Sequence, residues 1–150
     1  MAAELASLVG IESAPFELVV ERGKVREFAR ATQAEDPSYL DDAAPVIPPT
    51  FLMTAAHWSQ HELSLLERIP GDPRRRLHGE QEFAFPGTPP RAGARLRGRT
   101  RLDAAFEREG RRGGRLRFYV LVTDYRDGDG GLVATGTMTV VQTEHAPEDV

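Results

Sequence analysis

The side chains of this sequence best suited to moving a proton near neutral pH are its four histidines, His57, His61, His78 and His145. His57 and His61 stand four apart in an apolar stretch, the spacing at which two imidazoles on one helix face hold a metal. Glu62 points to another face of such a helix, so no acid completes a set and no metal site is expected. His78 opens an alternating run and is the lone candidate for a polar role, against the alternative of a hydrogen-bonded structural side chain. His145 lies in a polar tail. Glu35 and Asp36 are neighbouring acids, which suits either a solvated turn or a proton-transfer pair. There is no cysteine, which excludes a thiolate nucleophile, a disulfide and a cysteine–zinc centre.

These side chains are positioned by a chain that reads as two halves. Phe16–Glu21 has strand composition and Gly23 ends it. Lys24–Gln33 reads as an amphipathic helix with Val25, Phe28, Ala29 and Thr32 on one stripe. Ala34–Ala44 is a loop with a turn signal at Asp36-Pro37-Ser38. Pro49–Leu66 is the most apolar helical run, started by proline, which suits a first helical turn, and bent near Ser59-Gln60. Pro70-Gly71-Asp72-Pro73 closes this half.

The second half reads as strands. His78–Phe85 alternates, with Gln81, Phe83 and Phe85 on one face and Glu80, Glu82 and Ala84 on the other. Arg95, Arg97, Arg99 and Arg101 point one way, while Leu96, Gly98, Thr100, Leu102, Ala104 and Phe106 point the other, a strand with one wet and one packed face. Leu116, Phe118, Val120 and Val122 continue the pattern after a glycine-rich turn. Asp127–Gly131 is a hairpin turn and Leu132–Thr143 the last strand. The tail from Glu144 is expected to fray. One strand, two helices and four long antiparallel strands in a meander make an α+β protein. Such a sheet has open edges, which predicts pairing with a second sheet.

At 150 residues the chain is expected to be one domain. No apolar run approaches the roughly 20 residues that span a bilayer, and MAAELASLVG lacks the basic start of a signal peptide, so a cytoplasmic protein without membrane contact is expected. A net charge of −4 argues against general nucleic-acid binding. The charge is uneven. Residues 71–117 hold thirteen arginines against six acids, and Lys24 is the sole lysine. Codon bias and a surface for a phosphate-bearing or acidic partner both account for this.

The order of elements resembles the hot-dog fold, an antiparallel sheet curled around a long central helix. More narrowly, Phe16–Glu21, Lys24–Gln33, Pro48-Pro49-Thr50-Phe51, Leu77-His78-Gly79-Glu80-Gln81-Glu82-Phe83 and Leu132–Gly136 are similar to the N-terminal MaoC-like, or FAS1-like, dehydratase domain. The resemblance covers essentially residues 1–150. It implies an R-specific enoyl-thioester hydratase or 3-hydroxyacyl-thioester dehydratase acting on acyl-CoA or acyl-carrier-protein thioesters, with no cofactor.

The catalytic relatives carry Asp-x-Asn-Pro-x-His before the central helix. Here Ala34-Glu35-Asp36-Pro37-Ser38-Tyr39 stands in its place, with Ala34 for the aspartate and Tyr39 for the histidine. Their Ala-His-Gly-Met at the helix start, where a backbone N–H holds the thioester carbonyl, is replaced by Pro48-Pro49-Thr50-Phe51. The resemblance therefore implies a non-catalytic, substrate-binding component, with no catalytic residue of its own. Tyr39, Thr50, Phe51, Trp58 and His78 are its expected binding residues, and its partner is a second copy or a catalytic hot-dog subunit. A homodimeric acyl-thioester-binding or regulatory module is the alternative, and a thioesterase a weaker one.

Overall fold

The structure, a computed structural model, describes residues 2–59, 65–111 and 114–144. In chain order the elements are α1 (Ala2–Leu8), β1 (Phe16–Val19), α2 (Arg22–Ala31), α3 (Pro37–Leu40), a 3-10 turn (Phe51–Thr54) running into α4 (Ala55–Ser59), a second 3-10 turn (Pro73–Arg75), β2 (Arg76–Ala84), β3 (Arg95–Glu109), β4 (Arg115–Arg126) and β5 (Leu132–Thr143).

The five strands form one antiparallel sheet in the order β1-β3-β4-β5-β2. This corrects the expected four-strand meander. Only β3, β4 and β5 follow one another in space, and β2 lies beyond β5 rather than beside β3. Alternation sets which way a side chain faces but carries no information on which strand lies alongside. The segment after β2 instead returns the chain towards β1. The Gly93 N–H donates to the carbonyl of Val20 and the Val20 N–H to that of Ala94, at 2.8 and 2.9 Å. Across the same segment Ala92 donates to Pro45 and Ile47 to Pro90, so the loop before the central helix is fastened to the start of β3.

The helical layer covers the curled inner face of the sheet. One apolar cluster joins Phe16, Leu18, Val25, Phe51, Leu52 and Tyr125; a second joins Leu5, Leu65, Ile69, Leu102, Tyr119 and Leu121. Each fully covered side chain contributes about 1.5–3 kcal/mol by leaving water. Helix α1, which the sequence reading leaves unassigned, supplies Leu5 to the second cluster. The helix expected over 49–66 appears as a 3-10 turn, then α4, then helical residues 65–67. Residues 60–64 lie outside the described ones, with the expected bend at Gln60, and so do Arg112, Gly113 and the tail from His145.

The arginine row faces outward as expected, with Arg95, Arg97 and Arg99 exposed and Leu96, Thr100 and Leu102 buried on the other side. Gly98 lies directly under Phe16, and a Cβ there would sit 2.2 Å from the ring. The alternation then breaks. A bulge between Leu102 and Ala104 inserts Asp103 and reverses the phase, which is what an extra residue in one strand does. Ala105, not Phe106, therefore packs on the inner cluster. Phe106 lies on the outer face, a correction to its expected place against the helix. In β4 the buried inner residues are likewise Tyr119, Leu121, Thr123 and Tyr125, while Phe118 and Val120 are half-exposed.

Candidate functional site

Asp36 is committed to a turn. Its Oδ1 accepts the Ser38 N–H at 2.8 Å as the N-cap of α3, with Pro37 at the first helical position. Hydrogen bonds from Ser38, side chain first and backbone second, hold its carboxyl below the ordinary 3.8. An acid so stabilised as the anion is a poor proton donor at neutral pH. Glu35 is exposed beside it, and Ala34 brings no functional group. Tyr39 is half-buried within α3.

The segment Pro45–Phe51 enters the helical layer with Pro45, Ile47 and Pro48 buried. Thr50 is exposed and caps the 3-10 turn without a side-chain bond. The Phe51 N–H donates to Pro48 and the Met53 N–H to Thr50, both at 3.0 Å. Phe51 is wholly covered, edge-on to Phe28 at 5.6 Å and tilted against Trp58 at 5.9 Å. Trp58 keeps 41% of its surface exposed, and the Lys24 ammonium sits 4.1 Å from its ring centre. That ammonium also pairs with Glu21 at 2.5 Å. Of the expected binding residues the structure thus brings Phe51 and Trp58 together, with Thr50 adjacent in the chain. Among the described residues Tyr39 joins no ring contact with them. His78 is elsewhere, exposed on β2 opposite Val140. His61 lies outside the described residues, and among those described no group of three His, Cys, Asp or Glu could hold a metal.

A feature that the sequence reading did not identify is a narrow crevice between the 3-10 turn and the inner face of the sheet. Leu52 and Met53 line it from the helical side, and Gln81, Phe83, Thr123 and Met138 from the sheet. It holds about 10 Å³ of free space, at the lower limit for a single water. Its floor is polar at one point, where the hydroxyls of Thr100 and Thr123 bond at 2.8 Å. Its outer wall, Gln81 and Phe83, belongs to β2, the strand at the end of the sheet. The signal in the sequence was the shared face of Gln81 and Phe83. What it lacked was the knowledge that this face meets Leu52 and Met53.

The arginine row borders a separate, shallow trough of about 730 Å³ on the outer face. Acids interleave with it. Arg99 pairs with Glu12 at 2.9 Å, Arg101 with Asp103 at 3.2 Å and Asp124 at 3.5 Å, and Arg126 with Asp124 at 3.7 Å.

A curled antiparallel sheet in the order β1-β3-β4-β5-β2 over a short helical layer defines a hot-dog protein. This chain belongs to the FAS1-like dehydratase domain family, whose description "FAS1-like, dehydratase domain region" matches residues 7–146. It is 31% identical over 147 residues to a UPF0336 protein of Mycolicibacterium paratuberculosis, covering 92% of this chain and 81% of that one. Among solved structures it is similar to the C-terminally truncated HadBC (3R-hydroxyacyl-ACP dehydratase) complex of Mycobacterium tuberculosis, at TM-score 0.73 and 25% identity, over 89% of this chain and 96% of that chain. It also matches a MaoC-like dehydratase at TM-score 0.75 and 28% identity, over 92% of this chain but 43% of that longer one. No helix among the described residues is long and apolar enough to cross a membrane.

Proposed function

We propose that this chain is the non-catalytic, substrate-binding component of an R-specific enoyl-thioester hydratase or 3-hydroxyacyl-thioester dehydratase that acts on acyl-CoA or acyl-carrier-protein thioesters in the cytoplasm, and that residues 1–150 form its one hot-dog unit. The observation that carries this reading is the loop before the helical layer. Ala34 and Tyr39 occupy the positions where the catalytic relatives carry Asp and His, and the neighbouring Asp36 is spent on capping α3. Hydration of a 2-enoyl thioester needs a group that takes and gives a proton at neutral pH, and this loop offers none.

The chain contributes walls instead. The crevice under Leu52 and Met53 is closed on its outer side by a single strand, β2, so a second hot-dog laid against that strand extends the wall. The partner supplies Asp and His. Thr50, Trp58, Tyr39 and His78 offer exposed or half-exposed surface to the thioester, and Phe51, wholly covered, backs Trp58 from behind.

The test is a hydration assay with crotonyl-CoA and a longer 2-enoyl-CoA. The purified chain alone is expected to turn over neither at a significant rate. Co-expressed with a hot-dog chain that carries Asp-x-Asn-Pro-x-His, it is expected to form a complex more active than that chain alone. Robust turnover by the pure protein, or a complex no more active than the catalytic chain, defeats the proposal.

A further inference from the structure

We propose that the corner of the inner sheet face formed by the starts of β2 and β4 and the end of β5 binds a phosphate group as its dianion. The inference goes beyond the reading above and uses none of the residues assigned there to the thioester.

A cavity of about 120 Å³ opens at this corner, lined by Arg75, Arg115, Arg117, Gln142, Thr143 and Glu144. That is several times what one water needs, and enough for a tetrahedral oxyanion. The sheet order brings the residues together. Arg75 closes the 3-10 turn before β2, Arg115 and Arg117 begin β4, and Gln142 and Thr143 end β5. Gln142 registers with Arg76 on one side and Arg117 on the other, so its side chain, 1% exposed, stands between two arginines.

The carboxylates at the corner do not balance its cations. Glu107 pairs with Arg117 at 3.3 Å and with Arg115 at 3.6 Å, and Glu144 pairs with Arg115 at 3.5 Å. Arg75 and Arg76 are half-buried, and neither makes an ion pair among the described residues. Their guanidiniums go to neutral groups. Arg75 donates to the Glu144 carbonyl, and Arg76 to the carbonyls of Leu66 and Ile69 at 2.9 and 2.6 Å and to the Gln142 amide oxygen at 3.3 Å. Four arginines thus meet two glutamates, an excess of two positive charges. Half-buried charge without a counter-ion is costly, and a dianion cancels this excess. One donor is free to receive it, because the Nε of Arg75 is buried with no partner. Guanidinium N–H groups match phosphate oxygens in geometry as well as charge.

The arginine row of the outer face differs. Arg99, Arg101 and Arg126 are paired with acids there, while Arg95 and Arg97 are exposed and their charge is solvated. The other half-buried arginine with no ion pair among the described residues is Arg26, whose Nε is also buried and unpartnered. It lies on α2 and lines neither this cavity nor the crevice nor the outer trough.

Phosphate reaches such a site either as the free ion or as the end of an ester, and the test separates the two. Isothermal titration calorimetry at mildly alkaline pH, in chloride buffer, uses orthophosphate, AMP and adenosine, with circular dichroism to show that each variant is folded. Orthophosphate is expected to bind the parent chain over the chloride background, and R75Q to weaken that binding about tenfold. R75K keeps the charge but loses the Nε–H; it is expected to weaken binding about threefold, and it carries the test should R75Q not fold. R97Q, on the outer face, is expected to leave the affinity unchanged. AMP binding more tightly than adenosine assigns the site to a phosphate ester, and orthophosphate binding without AMP assigns it to the free ion. No binding of either phosphate, an affinity unaltered in both Arg75 variants, or an equal loss in R97Q overturns the proposal. These readouts are of binding alone, so they stand or fall apart from the hydration assay.

Discussion

The rings of Phe106 and Phe118 stack across β3 and β4 with centroids 5.0 Å apart and 7° between their planes, on the face of the sheet turned away from the helices. The Arg108 guanidinium lies over both, 5.0 Å from the first ring and 5.7 Å from the second. The pair exists there because Asp103 bulges and turns the end of β3 over. A double-mutant cycle of Phe106→Ala and Phe118→Ala in urea is expected to give a coupling of about 1 kcal/mol, the range for an aromatic pair beyond its burial. A coupling near zero would mean that the rings do not meet in solution.

Two glycines should respond to alanine with opposite signs. Gly98→Ala drives a methyl into the Phe16 ring at 2.2 Å in a packed strand pair, and is expected to cost about 1–3 kcal/mol by overpacking. Gly23 lies in the first turn of α2 with nothing within 4 Å of its would-be Cβ. Gly23→Ala is expected to stabilise by about 0.5–1 kcal/mol through helix propensity. Denaturant midpoints moving in the same direction would contradict this pairing.

Trp58 is the sole tryptophan, so its emission reports on one place in the molecule. Lys24→Ala removes the cation over its ring and is expected to cost about 0.5–1 kcal/mol, with a shift of the emission maximum. If Trp58 belongs to the thioester wall, adding a 2-enoyl-CoA to the complex with the catalytic chain changes its emission. An unaltered spectrum at saturating ligand removes Trp58 from the wall.

Acid should unpick three surface turns together. Asp36, Asp42 and Asp72 each titrate below the ordinary 3.8 in the folded chain. The leading causes are the Ser38 side chain for Asp36, the Ala44 N–H followed by Arg91 for Asp42, and the Arg74 side chain for Asp72. A carboxyl whose folded pKa is depressed adds stability that is present above the unfolded value and is lost as pH falls through the folded one. Stability is therefore expected to decline as pH drops below about 3.8, and substituting all three by alanine should flatten that decline. A triple variant with an unchanged pH profile would remove these turns from the acid response.

Much of this protein was legible in its residues alone. The breaker cluster at Pro70–Pro73 closes the helical half, Val25 and Ala29 mark the buried stripe of α2, and the arginine alternation marks the wet face of β3 from Arg95 to Arg101. All of these are local, because side-chain direction in a regular strand or helix follows from position along it. The placement of β2 beside β5 depended instead on the 91–94 segment finding Val20 and Pro45, contacts between residues far apart in sequence. Phe106 was misplaced for the same reason. One extra residue at Asp103 inverts a strand only when the strand opposite holds its register, and nothing in β3 by itself reveals that. The crevice between Leu52 and Phe83 came into being only when the helical layer closed on the sheet, since its walls are drawn from elements that share no sequence neighbourhood.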